Sequence, residues 1–141
     1  MLIKQLSVFV ENKKGRLSAI TDILRQSAID IRALSVADTK DFGILRLIVN
    51  DVDKAYTALK DGECLVSLTD VIAVQITDKP GGLADAMDIL SSADISVEYM
   101  YAFISKCDGL ASVILRVDDN EKAQNVLSDR FKLLTQAEIS A

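Results

Sequence analysis

Two stretches decide the fold when one is set above the other: Val8 to Leu24, VFVENKKGRLSAITDIL, and Val74 to Leu90, VQITDKPGGLADAMDIL. An offset of 66 residues aligns Val8 with Val74, Lys13 with Lys79, Gly15 with Gly81 and Leu17 with Leu83. It also aligns Asp22-Ile23-Leu24 with Asp88-Ile89-Leu90, and Ile29 with Ile95. Farther on, Lys54-Ala55 and Leu59 match Lys122-Ala123 and Leu127 at an offset of 68, so the second copy carries two extra residues. The spacing puts them in the connection around Ser105 to Gly109. A repeat of this period means one structural unit made twice.

Each copy carries the same order of elements. Leu6, Val8 and Val10, and then Ile72, Val74 and Ile76, recur at every second position, which predicts a first strand in both copies. Behind a glycine-containing turn the apolar spacing becomes helical, at Leu17, Ile20 and Leu24 and at Leu83, Ala86, Met87 and Leu90. Extended segments are expected over 29–36 and 44–49, matched by 95–104 and 110–117, with Gly43 and Asp108-Gly109 as turns. Asp51 and Asp119 precede second helices whose inner faces would use Ala55, Tyr56 and Leu59, or Ala123, Val126 and Leu127. Closing strands fit 65–68 and 132–136.

The expected class is therefore α+β: two ferredoxin-like βαββαβ modules, each a four-stranded antiparallel sheet with two helices on one face. Residues 1–69 form the first expected domain and 70–141 the second, with Thr69-Asp70 as the connection. The sheet face away from the helices is expected to offer Leu34, Val36, Ile44, Ile48, Val97, Tyr99 and Tyr101, depending on register. So much apolar surface calls for cover by packing within the chain, by self-association, or by both.

Composition narrows the functional classes. Half of the 141 residues are hydrophobic and 26% are charged, which specifies a packed core. A net charge of −5 argues against a general nucleic-acid binder, which needs cations to displace counterions from phosphates. No apolar run reaches the roughly 18 residues of a membrane span, and the first ten residues read as a strand rather than a secretion signal. Cytoplasm is the expected location. Cys64 and Cys107 lie far apart without a CxxC arrangement, and a core of this size needs no disulfide.

Catalysis finds little to work with. The chain has no histidine, which removes Ser-His-acid and Cys-His arrangements and every histidine-containing metal site. Asp51-Asp53 and Asp118-Asp119 stand at helix starts, where carboxylates accept otherwise unpaired amide protons, so they are expected as caps rather than metal ligands. Cys107 has no adjacent base to activate it. No catalytic residue, metal site or cofactor is expected.

The stronger chemistry lies in the first strand-to-helix turn. Thr77-Asp78-Lys79-Pro80-Gly81-Gly82-Leu83 pairs a restrained proline with a permissive glycine ahead of a helix start. Two readings stand at this point. The turn is a plain connector with Asp78 as its cap, or it is a receptor in which Asp78 attracts an ammonium and the helix amides receive a carboxylate. In the first copy, Asn12-Lys13-Lys14-Gly15-Arg16-Leu17 keeps the turn but replaces the acid with Asn12 and adds Lys14 and Arg16. Neither turn contains GxxxxGK[ST] or GxGxxG, so neither is a phosphate loop. Tyr99, Met100, Tyr101 and Phe103 form an aromatic patch in one copy only, better suited to packing than to stacking RNA bases.

The Asp78-Lys79-Pro80-Gly81-Gly82-Leu83 turn inside a complete βαββαβ order, echoed by Asn12 to Leu17, resembles the ACT-domain family, specifically stand-alone proteins made of two ACT domains. The resemblance covers roughly residues 3–137. It implies a sensor of free amino acids that regulates amino-acid metabolism, with ligands held between paired domains. Carried to this chain, it implies that Asp78 orients the ligand amine and that Gly81, Gly82 and Leu83 give backbone contacts. Asn12, Gly15, Arg16 and Leu17 occupy the related turn, while Asp30-Ile31 and Ser96-Val97 near the second-strand starts supply cross-domain contacts. The first copy departs at Lys14 for Pro80 and at Arg16 for Gly82. The expected function is non-enzymatic binding of a small free amino acid at a domain interface, in a homodimer or with a regulated protein partner, without nucleic acid or membrane. A ligand-independent interaction module and a small enzyme with an unrecognised site are the alternatives.

Overall fold

A computed structural model describes residues 1–38, 41–103 and 108–140, and the chain divides into two compact units. One comprises Lys4–Thr69 with the last residues from Ile139; the other comprises Asp70–Glu138 with Met1–Ile3. The element order is β1 (Ile3–Glu11), α1 (Arg16–Gln26), β2 (Ile31–Asp38), β3 (Phe42–Val49), α2 (Val52–Asp61) and β4 (Val66–Thr77). It continues with α3 (Gly82–Ser92), β5 (Val97–Phe103), β6 (Leu110–Val117), α4 (Asn120–Ser128) and α5 (Gln136–Ser140). This is βαββαβ followed by a second run that shares β4 as its first strand and ends in α5 where a closing strand would stand.

In the first unit the strands lie in the order β2-β3-β1, followed by the opening residues of β4. The β1–β3 register sets Leu6 against Leu47 and Val8 against Leu45, so the alternate apolar residues of both strands share the face that α1 and α2 cover. Leu6, Val8, Val10, Leu45, Leu47 and Val49 close against Ile20 and Leu24 of α1 and Ala55 and Leu59 of α2. Burying each large aliphatic side chain here contributes about 1.5–3 kcal/mol. In the second unit the order is β4-β6-β5, and Ile72, Val74 and Ile76 pack with Leu115 and Val117 against Ala86, Leu90, Ala123 and Leu127.

The second helix of each module starts as its sequence requires. The Asp51 carboxylate accepts the Lys54 amide at 3.1 Å and that of Asp119 accepts the Lys122 amide at 3.0 Å. Both are N-caps that satisfy one orphan donor of the first helical turn.

Four sequence expectations are corrected. Thr69-Asp70 is no linker, because β4 runs unbroken from Val66 to Thr77 as the last strand of one module and the first of the next. The segment holds neither glycine nor proline, and β-branched residues at Val66, Thr69, Val71 and Ile72 favour the extended backbone through the single breaker, Asp70. The closing strand expected over 132–136 is reduced to one antiparallel bridge, Val74 with Leu133. A short helix follows instead, opened by a reciprocal capping box: the Glu138 carboxylate accepts the Thr135 amide at 3.1 Å and the Thr135 hydroxyl accepts the Glu138 amide at 3.2 Å.

The other two corrections concern sheet faces. Leu34 pairs with Leu47 and Val36 with Leu45, so both stand on the helix-covered face, whereas Ile44 shares the other face with Phe9. The register shifts between Ile31 and Ala33, and a one-residue shift moves every later side chain to the opposite face. Val97, opposite Val117, likewise packs against the core, while Tyr99 and Tyr101 lie on the open face. The connection expected to hold the two extra residues lies largely at 104–107, and Cys107 with it, outside the described residues.

Candidate ligand-binding turns

The two strand-to-helix turns have one geometry. Lys13 donates its amide to the Glu11 carbonyl at 2.8 Å, Arg16 to Lys13 at 3.3 Å and Ala19 to Gly15 at 3.0 Å. In the second copy Lys79 donates to Thr77 at 3.0 Å, Gly82 to Lys79 at 3.0 Å and Asp85 to Gly81 at 3.1 Å. Gly15 and Gly81 are the helix N-caps, both left-handed at φ 87°, a conformation that glycine alone enters without cost. The amides of Asn12 and Asp78 tie each turn to the following hairpin, at Asp41 and Gly109.

Neither helix has a side-chain cap, so Asp78 does not cap α3, and its carboxylate stands exposed at the turn. The helix amides after the N-cap lack intrahelical acceptors until the fourth residue, which leaves those of Leu83 and Ala84 as the donors of this turn. Gly82 has another duty. A Cβ there would stand 2.0 Å from the Thr77 carbonyl oxygen, so α3 meets the end of β4 at a distance only glycine permits. Its amide is already spent on Lys79.

Charge distinguishes the first turn. The Lys13 ammonium lies 2.9 Å from the Glu11 carboxylate. That hydrogen bond and the charge of Lys13 hold the Glu11 carboxyl below the usual range, with a smaller contribution from Arg16. Lys14 and Arg16 carry their own charges on exposed side chains. A depression of about 80 Å³ is lined by Val10, Glu11, Asn12, Lys13, Leu17, Val36 and Gly43. This is well below the roughly 300 Å³ at which pockets for drug-sized molecules begin, so only a small ligand group fits within it.

Of the first-copy candidates, the depression brings together Asn12 and Leu17; Gly15, Arg16, Asp30 and Ile31 do not line it. Val36 was not foreseen there, because its face depends on the irregularity at the start of β2. The second-strand starts are held locally. The Asp30 N–H donates to the Asn50 side-chain oxygen at 2.9 Å, and the Asp30 carbonyl accepts the Asn50 backbone N–H at 3.1 Å. Ser96 and Asp118 repeat the exchange at 3.1 and 3.2 Å. The Asp30 carboxylate pairs with Arg32 at 3.1 Å, and Ile31 and Val97 pack on the two cores.

Other chemistry is thin among the described residues. No three Cys, Asp or Glu side chains cluster to hold a metal, and no helix is long and apolar enough to cross a membrane. Cys64 is a free thiol whose pKa burial pushes up, against a smaller opposing effect of Arg16. A raised pKa disfavours the thiolate and therefore nucleophilic use.

Comparison with known proteins places this geometry. The family model described as an ACT domain pair matches residues 1–140. Protein BT0572 from Bacteroides thetaiotaomicron is 41% identical with a TM-score of 0.94, over 99% of this chain and 96% of its own. The ligand-free regulatory subunit of aspartate kinase from Thermus thermophilus matches with a TM-score of 0.64 at 15% identity, over 91% of this chain and 93% of that one. The corresponding subunit from Thermus flavus matches with a TM-score of 0.60 at 15% identity, covering 92% and 93%. At these identities the two subunits share the fold. No curated protein sequence matches the chain.

Proposed function

The chain belongs to the ACT domain pair family, and from that premise we propose that it binds a small free amino acid and regulates amino-acid metabolism without turning the ligand over. The observation that carries the reading is the depression beside the first turn, where Asn12 and Leu17 face Val36 at the start of a helix with unpaired amides. Those amides suit a carboxylate, and at the second turn the exposed Asp78 suits an ammonium, the two ends every free amino acid carries. The depression at the first turn is shallow, which on this reading leaves one side of the ligand to be covered by another copy or a partner.

On this reading Asn12, Gly15, Arg16, Leu17, Asp78, Gly81 and Leu83 belong to the ligand turns. Gly82, Asp30, Ile31, Ser96 and Val97 shape the backbone that holds them. The output passes to another copy or to a regulated partner in the cytoplasm, with no nucleic acid, membrane or cofactor involved. Titration calorimetry against the common free amino acids tests the proposal. Saturable binding of one small group is expected; silence from the whole set in folded protein overturns it and leaves an interaction module, which the exposed Leu17, Leu34 and Val36 would then serve.

A further inference from the structure

The helix layers of the two modules differ at one groove. In the first module Ile23 of α1 leans across the residue that follows α2: a Cβ built on Gly62 would stand 2.6 Å from its Cδ1. The aligned residue of the second module is Arg130, 68 positions on, and its Cβ takes the space that Ile23 uses. Ile89, the counterpart of Ile23, leaves an open groove of about 420 Å³ between α3 and α4. Its floor is Ile89, Ala93 and Val126, each partly buried against the second core. Asp85 and Asp88 line it from α3, and Arg130 lines it from beyond the end of α4.

Charge separates the two helices as well. In α1, Asp22 pairs with Arg25 and accepts the Gln26 side-chain amide at 2.9 Å, so the acid is answered within its own helix. Its counterpart Asp88 has Ser91 and Ser92 at those two positions, and Asp85 stands where α1 has Ala19. α3 therefore carries two acids and no cation, like charges on neighbouring turns that weaken a helix rather than support it. Among the described residues no ion pair forms at Asp85, Asp88 or Arg130. Acids on one side and a cation on the other thus rim an apolar floor, with their charges uncompensated.

We propose that the α3–α4 groove docks an amphipathic helix of a partner protein. Its apolar stripe covers Ile89, Ala93 and Val126, its basic residues meet Asp85 and Asp88, and an acidic residue meets Arg130. A helix laid on two packed helices reaches such a floor with residues at i, i+3, i+4 and i+7. The opposed charges set its register and reject strongly acidic segments. A second copy of this chain fits less well, because Leu17 is the one large apolar side chain exposed on any helix among the described residues, and one residue makes no stripe. The partner's being a regulated protein rests on the function proposed above; the docking itself does not.

The test therefore uses no amino acid. The probe is a fluorescein-labelled peptide of about eighteen residues with leucines at that spacing, lysines along one flank and glutamates along the other. A second peptide of the same composition has its leucines scrambled. Fluorescence anisotropy against the whole chain is expected to saturate below about 100 µM for the ordered peptide alone. Asp85→Lys/Asp88→Lys should weaken binding more than about tenfold, and Asp53→Lys/Asp61→Lys on α2 should leave it within about twofold. Asp85→Asn/Asp88→Asn should weaken it by less than the reversal does, and carries the test if circular dichroism shows the lysine pair unfolded. No saturation, equal binding of the scrambled peptide, or undiminished affinity without the two acids each overturns the proposal. So does self-association, read by light scattering, that the two charge changes abolish, because a second copy then fills the groove. A chain that binds the peptide and no amino acid keeps the groove and sinks the sensing role, and one that binds an amino acid and no peptide does the reverse.

Discussion

Gly15 and Gly81, 66 positions apart, hold the same left-handed backbone at φ 87° and open α1 and α3 in the same way. Nothing lies within 4 Å of a Cβ built on either, so replacement by alanine costs backbone strain without a clash. Gly15→Ala and Gly81→Ala should each lose about 1–2 kcal/mol of stability. Gly82→Ala should lose more, because its Cβ meets the Thr77 carbonyl oxygen at 2.0 Å and that oxygen belongs to the backbone. Urea melts of the three variants check the order; an equal loss at Gly81 and Gly82 would contradict the close approach.

Asp51 and Asp119 cap α2 and α4 through one hydrogen bond each, with φ −137° at both. Removing either oxygen strands an amide at the helix start. Asp51→Ala and Asp119→Ala should each cost about 1 kcal/mol, and Asn at either position should restore most of it. Thermal melts read both effects.

Two exposed carboxyls, Glu11 and Glu138, are held below their ordinary value of 4.5, first by hydrogen bonds from Lys13 and Lys132. A carboxyl depressed in the folded state stabilises the fold above its unfolded pKa, and the contribution disappears as pH falls through the folded value. The protein should therefore lose stability on acidification below about pH 4.5, through protonation of these two groups among others. Glu138→Gln should shrink the loss between pH 6 and pH 3 in chemical melts. An unchanged slope would remove Glu138 from the acid response.

Much of this architecture was legible because it repeats: a strand, glycine turn and amphipathic helix twice over at one offset leave few folds to consider. The Asp51 and Asp119 caps followed from position alone. Less legible were features that depend on a neighbouring strand. The continuity of β4 through Asp70 comes from pairing on both of its halves, and a lone aspartate in the sequence resembles a break. The faces of Leu34 and Val36 turn on a register shift that alternation cannot reveal, and with them went the lining of the depression. The α5 helix did carry a signal, the Thr135-Gln136-Ala137-Glu138 capping box, which a strand assignment to 132–136 overrode.

Ligand recognition gives the last prediction, and the structure makes its test cleaner. Asp78 is exposed and caps nothing, so Asp78→Ala should leave α3 and the fold intact, as circular dichroism would report. If the carboxylate meets a ligand ammonium in a partly desolvated site, its loss should weaken binding by about 1–3 kcal/mol. Asn12, its counterpart, lines the first-turn depression without a charge, so Asn12→Ala should cost less than Asp78→Ala wherever the ammonium is the dominant contact. Calorimetry on both folded variants, with the amino acid found by screening, decides between the turns. Unchanged affinity in Asp78→Ala would take the ammonium contact away from the second turn. A larger loss in Asn12→Ala would move recognition to the first turn, where Lys14 and Arg16 suit the carboxylate end of the ligand instead.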